Sequence, residues 1–152
     1  MTSIQFSTIA QSIAEIDLSS HRINVKDADN IPINGITECP YFAPNPSNFI
    51  SDILFTRASF GSGGDEKMNL EYTMNYQYFH APIGQVLTFQ SYADLLDNIA
   101  YILEQIADND APEGAIDVRI MNIPHVGGIT DSKGQEYHGA DISLRVTEFI
   151  NG

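Results

Sequence analysis

The stretch that most constrains this chain is Gly139-Ala140-Asp141-Ile142-Ser143-Leu144-Arg145-Val146-Thr147-Glu148-Phe149. Ala140, Ile142, Leu144 and Val146 fall on one side of an extended backbone. Asp141, Ser143, Arg145 and Thr147 fall on the other. Side chains alternate faces along a strand, so this pattern specifies a strand with one dry and one wet face. A one-residue slip would turn the whole apolar set to solvent, so the register is strongly specified as well. Whatever else the chain builds must cover that dry face.

A second alternation matches it. Met68, Leu70, Tyr72, Met74, Tyr76 and Tyr78 interleave with Asn69, Glu71, Thr73, Asn75 and Gln77. The run reads as an unusually long strand. The segment Phe49–Ser59, carrying Ile53, Leu54 and Phe55, reads as another strand before it. Between the two lies Gly61-Ser62-Gly63-Gly64-Asp65-Glu66-Lys67, read as a flexible tip, so the pair suggests a long hairpin. Further strands are expected over Ile36–Phe42, with Cys39-Pro40 marking an edge, and over Ile116–Ile123. Residues 21–35 are polar, with one short strand around Ile23–Val25. Pro44–Asn48 reads as a turn and Pro124–Tyr137 as a glycine-rich excursion before the last strand.

Two segments carry helical periodicity. Phe6, Ile9, Ile13 and Ile16 recur at spacings of three and four, ended by Asp17-Leu18-Ser19-Ser20. Leu95, Leu96, Ile99, Ile102, Leu103 and Ile106 form a broader stripe over about Tyr92 to Ala107, behind a capping box at Ser91–Asp94. The order α, several β, α, β, β predicts a single α+β domain over residues 1–152. Its mixed or antiparallel sheet contains a long hairpin and is packed by one main amphipathic helix plus a short N-terminal one. Leu95, Leu96, Ile99, Leu103 and Ile106 are expected to pack on Leu70, Tyr72, Met74, Val118, Ile120, Ile142, Leu144 and Val146.

Charge is the compositional outlier. Seven Lys+Arg stand against twenty Asp+Glu, a net charge of −13. Such a surface is poorly suited to binding nucleic-acid phosphates or anionic membrane, both of which need clustered cations. It suits a soluble, self-repelling protein, or one past which a polyanion must slide. No segment holds the run of about 20 apolar residues that spans a bilayer. The N-terminal residues lack the pattern of a signal peptide, and a lone cysteine, Cys39, gives no sign of export.

No catalytic or cofactor motif emerges. His21, His80, His125 and His138 form no HExxH pair, and Cys39 has no CxxC partner. Gly61–Gly64 lacks the Lys-Ser/Thr of a phosphate loop. Asp108, Asn109, Asp110 and Glu113 do not match the spacing of a calcium loop. The expectation is a non-enzyme without catalytic residues, cofactor or metal.

The ordered pattern resembles the tail terminator proteins of long-tailed bacteriophages, also called tail-completion or minor tail proteins. The local likeness is best at Gly139–Phe149, where Ala140-Asp141 opens a terminal alternating strand that ends near Glu148. Glu38-Cys39-Pro40-Tyr41-Phe42 is similar to the family's acidic-then-proline strand entry, and Met68–Phe79 takes the place of the strand leading to the main helix. The resemblance implies a ring, hexameric in the family, on the head-proximal end of the tail tube. The ring would end tube polymerisation and offer an attachment surface to the head or neck. Its partners would be other copies of itself, the tail tube protein and a head-closure or neck protein, with DNA passing the lumen unbound and no membrane involved. Its place would be the virion, after assembly in the host bacterial cytoplasm. Candidate lumen-facing carboxylates are Asp108, Asp110 and Glu113, or Asp65 and Glu66. Gly61, Gly63 and Gly64 are the candidate partner-contact loop. Two other readings stay open: another head–tail joining or neck protein, and a small α+β enzyme or ligand-binding domain with a site under the long hairpin.

Overall fold

The computed structural model describes residues 6–27, 38–58, 67–83, 89–107, 116–131 and 133–151. In chain order these form helix α1 (Phe6–Ala14), a short 3-10 turn (Ser19–His21), strands β1 (Asn24–Val25), β2 (Tyr41–Pro44), β3 (Ile50–Ala58) and β4 (Lys67–Pro82), helix α2 (Phe89–Ala107), and strands β5 (Ile116–Thr130) and β6 (Glu136–Asn151). The strands make one six-stranded sheet in the order β1-β2-β4-β6-β5, with β3 also paired to β4. Only β1 and β2 run parallel; every other pairing is antiparallel. The protein is thus an α+β domain with a mixed sheet, a main helix and a short N-terminal helix.

The two alternating segments are the centre of the sheet. β4 and β6 pair directly, with Tyr72 opposite Val146, Met74 opposite Leu144, Tyr76 opposite Ile142 and Tyr78 opposite Ala140. All eight are buried. Opposed residues share a face in an antiparallel pair, so two dry faces, each specified locally, fuse into one apolar surface. Val118 and Ile120 hold register positions opposite Val146 and Leu144, and their side chains lie outside the described ones.

Both helices cover it. α1 contributes Ile9 and Ile13, and Phe6 sets its ring edge-on to Tyr72 at 4.7 Å. Three residues beyond its end at Ala14, Asp17 accepts hydrogen bonds from the Ser19 amide and hydroxyl. Those bonds hold the Asp17 carboxyl below its usual range and offer the backbone a turn instead of another helical bond. α2 buries Leu95, Ile99, Ile102 and Ile106, spaced so that one stripe faces the sheet.

Several boundaries differ from expectation. α2 begins at Phe89, so Ser91 lies inside its first turn and is not the cap. Leu96 is 44% exposed, Leu103 is only partly buried, and Ile102 instead is fully buried. The stripe is narrower than the apolar sequence because only part of the helix meets the sheet. β2 starts at Tyr41, after Cys39-Pro40, and residues 36 and 37 lie outside the described residues. Nor is β2 an edge: β1 lies against it, and the Pro40 carbonyl accepts the Asn24 amide at 3.0 Å.

The largest difference is at β5, which continues to Thr130 where an excursion was expected from Pro124. Pro124 falls between Asn122 and His125, where the register against β6 shifts. A bulge tolerates a residue without an amide hydrogen, so proline there bends the strand without ending it. The hairpin then closes tightly on Asp131. Its Oδ1 accepts the amides of Lys133 and Gln135 at 2.9 and 3.0 Å, and its Oδ2 accepts the Tyr137 hydroxyl at 3.1 Å. Gly134, with φ at +84°, takes the left-handed turn position.

Replacing Ile102 with alanine should cost about 2–5 kcal/mol in denaturant unfolding, while Leu96→Ala should stay within about 0.5 kcal/mol. Equal costs at the two positions would show that the helix is seated by a different face.

Candidate functional site

With both helices on one side, the sheet offers two kinds of unclaimed surface: its lateral edges and its helix-free face. The first edge is β3. It pairs with β4 from Ile50↔Met74 to Ala58↔Lys67, and no described strand pairs its other side. The register breaks between Ser51 and Leu54, and Asp52 there has φ at +52°. Aspartate is among the few side chains that adopt this conformation readily. Beyond the break, Ile53, Leu54 and Phe55 are 57, 53 and 49% exposed. Phe55 lies opposite Leu70 on the helix-bearing face, and Leu54 opposite Glu71 on the other. Apolar surface therefore shows on both sides of this edge.

The opposite edge is β5, which pairs with β6 alone among the described strands. It too shows exposed apolar surface. Val126 is 42% exposed, and Ile83, which follows β4 and is 39% exposed, reaches across to Gly128. His125 is held in the same bend by a 2.8 Å hydrogen bond between its Nε2 and the Gly128 carbonyl.

The helix-free face is hydrogen-bonded across strands. Asn75 Nδ2 donates to the Asn48 carbonyl and Ser51 Oγ at 2.7 and 2.9 Å, and Ser143 Oγ donates to Asn75 Oδ1 at 2.9 Å. Arg145 donates to Thr73 Oγ1 and the Asp52 carbonyl, with Glu71 3.7 Å away, and Gln77 donates to Asp141. Arg145 thereby steadies the Asp52 bulge from the central strand. Toward the hairpin end the same face carries a compact cluster of Tyr41, Ala43, Phe79, Ile129 and Tyr137. Gly139 sits within it because a Cβ there would lie 1.9 Å from the Tyr78 carbonyl oxygen and 2.8 Å from Ile129.

Several titratable groups are tied into structure. Tyr72 donates to the buried Glu148 at 2.8 Å. Asn98 donates to Tyr78 at 2.8 Å and accepts from His21 Nδ1 at 2.9 Å, while Tyr78 also bonds His80 Nδ1. Burial pushes the phenols of Tyr72, Tyr76 and Tyr78 far above their ordinary range. Tyr76 keeps its hydroxyl buried without a hydrogen-bond partner. A cleft of about 210 Å³ beside α1 is lined by Ala10, Ala14, Phe49 and Tyr76, with Lys26 and Asp27. Among the described residues no three His, Cys, Asp or Glu side chains gather where a metal ion could be held. Nor is any described helix long and apolar enough to cross a membrane.

The carboxylates singled out in the sequence, Asp65, Glu66, Asp108, Asp110 and Glu113, lie outside the described residues, as do Gly61, Gly63 and Gly64. The sequence reading used Ile53, Leu54 and Phe55 only to recognise a strand and missed their exposure. A signal was present: three consecutive apolar residues cannot all face one side of a sheet. No protein-family model matches the chain, and no curated protein matches it.

Cys39 packs against the Tyr41–Phe79 cluster, and burial, then the nearby Asp131 charge, pushes its thiol up to about 11. The thiolate is the reactive form, so alkylation of the native protein near pH 8 should run about a hundredfold slower than for a free thiol of ordinary pKa. Reaction at the free-thiol rate, followed by mass spectrometry, would contradict that placement.

Proposed function

We propose that this chain is a structural subunit of a phage tail, acting as a tail terminator. Copies close into a ring on the head-proximal end of the tail tube, end its polymerisation and present a surface to the head-closure or neck protein. The observation that carries the reading is the sheet itself: both lateral edges are open among the described strands, both carry exposed apolar side chains, and both helices sit on one face. An open edge with apolar side chains is an aggregation hazard unless a partner takes it up, and closure into a ring uses every such edge. The ordered resemblance of the sequence to tail terminators supplies the location. The charge of −13 per subunit suits a bore through which DNA moves without being held. In this reading the protein has no catalytic role.

Electron microscopy of the purified protein, alone and mixed with tail tubes, tests the assignment. Rings, or tubes capped at one end and no longer growing, are the expected result. A chain that neither assembles nor binds tube, or that joins only the neck proteins, overturns the terminator role.

With Asp108, Asp110 and Glu113 all replaced by lysine, or Asp65 and Glu66 likewise, particles should still assemble but eject DNA more slowly. The delay should grow at low salt, where phosphate contacts are least screened. Ejection at the normal rate from both reversed variants would remove these carboxylates from the bore.

A further inference from the structure

We infer that neighbouring copies join by strand addition, the outer edge of β3 in one copy pairing antiparallel with the outer edge of β5 in the next. The inference rests on the ring reading above and specifies its contact. Strand direction is the first argument. β3 is antiparallel to β4, β4 to β6, and β6 to β5, so β3 and β5 run in opposite directions at opposite sides of the sheet. Rotating a copy about an axis along the strands preserves each strand's direction. The β5 of the rotated copy therefore arrives antiparallel to the β3 it meets, the arrangement with perpendicular inter-strand hydrogen bonds.

Apolar complementarity is the second argument. Phe55 and Leu54 flank β3 on opposite faces, so an incoming strand meets apolar side chains above and below its backbone. Val126 provides the matching exposed group on β5, and Ile83 reaches across to Gly128 from the end of β4. Val126 lies opposite Ala140, on the helix-bearing face where Phe55 also lies. Main-chain bonds give the junction its affinity and these side chains its register.

The occupant is a second copy because one chain carries both halves of the junction. A two-fold β3–β3 contact would leave both β5 edges and their apolar side chains open. Head-to-tail pairing consumes the β3 and β5 edges of every copy once the circle closes.

The experiment uses the full chain with Cys39→Ser and new cysteines placed in pairs, one across Asp52–Thr56 and one across Asn122–Val126, oxidised in the assembled state. Ladders of cross-linked copies joining the two strands are expected. Single variants Leu54→Lys and Val126→Lys should each raise the concentration needed for assembly at least tenfold. Both positions are exposed, so their unfolding curves should stay close to that of the parent. A mixture of the two variants should stop at a single junction, the intact β3 of one against the intact β5 of the other. Rings that form with neither lysine affecting them overturn the pairing alone, while cross-links confined to β3–β3, which close a dimer, overturn the pairing and the ring together. Failure of the parent chain to assemble, alone or on tail tubes, overturns the ring reading along with it.

Discussion

The pairing of β4 with β6 is the interaction on which the rest of the structure depends. Each strand brings a single apolar stripe, and neither stripe can be buried by its own strand. Held in register, they place Tyr72, Met74, Tyr76 and Tyr78 beside Val146, Leu144, Ile142 and Ala140. That surface is wide enough for two helices to seat on it. β2, β3 and β5 are positioned as neighbours of this pair, so an error of one residue in its register would misplace every other element.

Aromatic side chains do much of the filling. Phe42 stacks on Tyr76 at 4.9 Å, with Phe49 edge-on to the same ring at 5.5 Å. Tyrosine brings a hydroxyl into the interior, and a buried hydroxyl without a partner is costly. Tyr72 and Tyr78 resolve this with Glu148 and Asn98. Glu148 continues the inward alternation of β6, so its burial follows from the same periodicity that buries Val146. Its tolerance there depends on Tyr72, which approaches from β4 across the sheet.

The sheet divides into a helix-bearing face and a hydrogen-bonded face. α1 and α2 both pack on one side of the sheet, and no described strand pairs the outer side of β3 or β5. On the other side Asn75 and Arg145 link β3, β4 and β6 by side-chain bonds, which keeps the edge strand and its Asp52 bulge in a defined shape. A defined edge can recognise a neighbour; a frayed one would pair indiscriminately.

The long strands, both amphipathic helices and the α+β class were legible from periodicity, because side-chain alternation and the helical repeat are local consequences of backbone geometry. The inward set Leu70, Tyr72 and Met74 with Ile142, Leu144 and Val146 was legible for the same reason. Strand and helix ends were less so: Pro124 bends β5 without stopping it, and Ser91 does not start α2, since each outcome is set by partners in other segments. The exposure of Leu96 and the burial of Ile102 depend on how α2 lies across the sheet, which one helix's sequence does not specify. The tertiary structure alone decided that β3 and β5 occupy opposite sides with antiparallel directions, and that the outer side of β3, with Ile53, Leu54 and Phe55, has no described strand against it. Those are properties of strand order, and strand order is chosen by contacts between residues far apart in the chain.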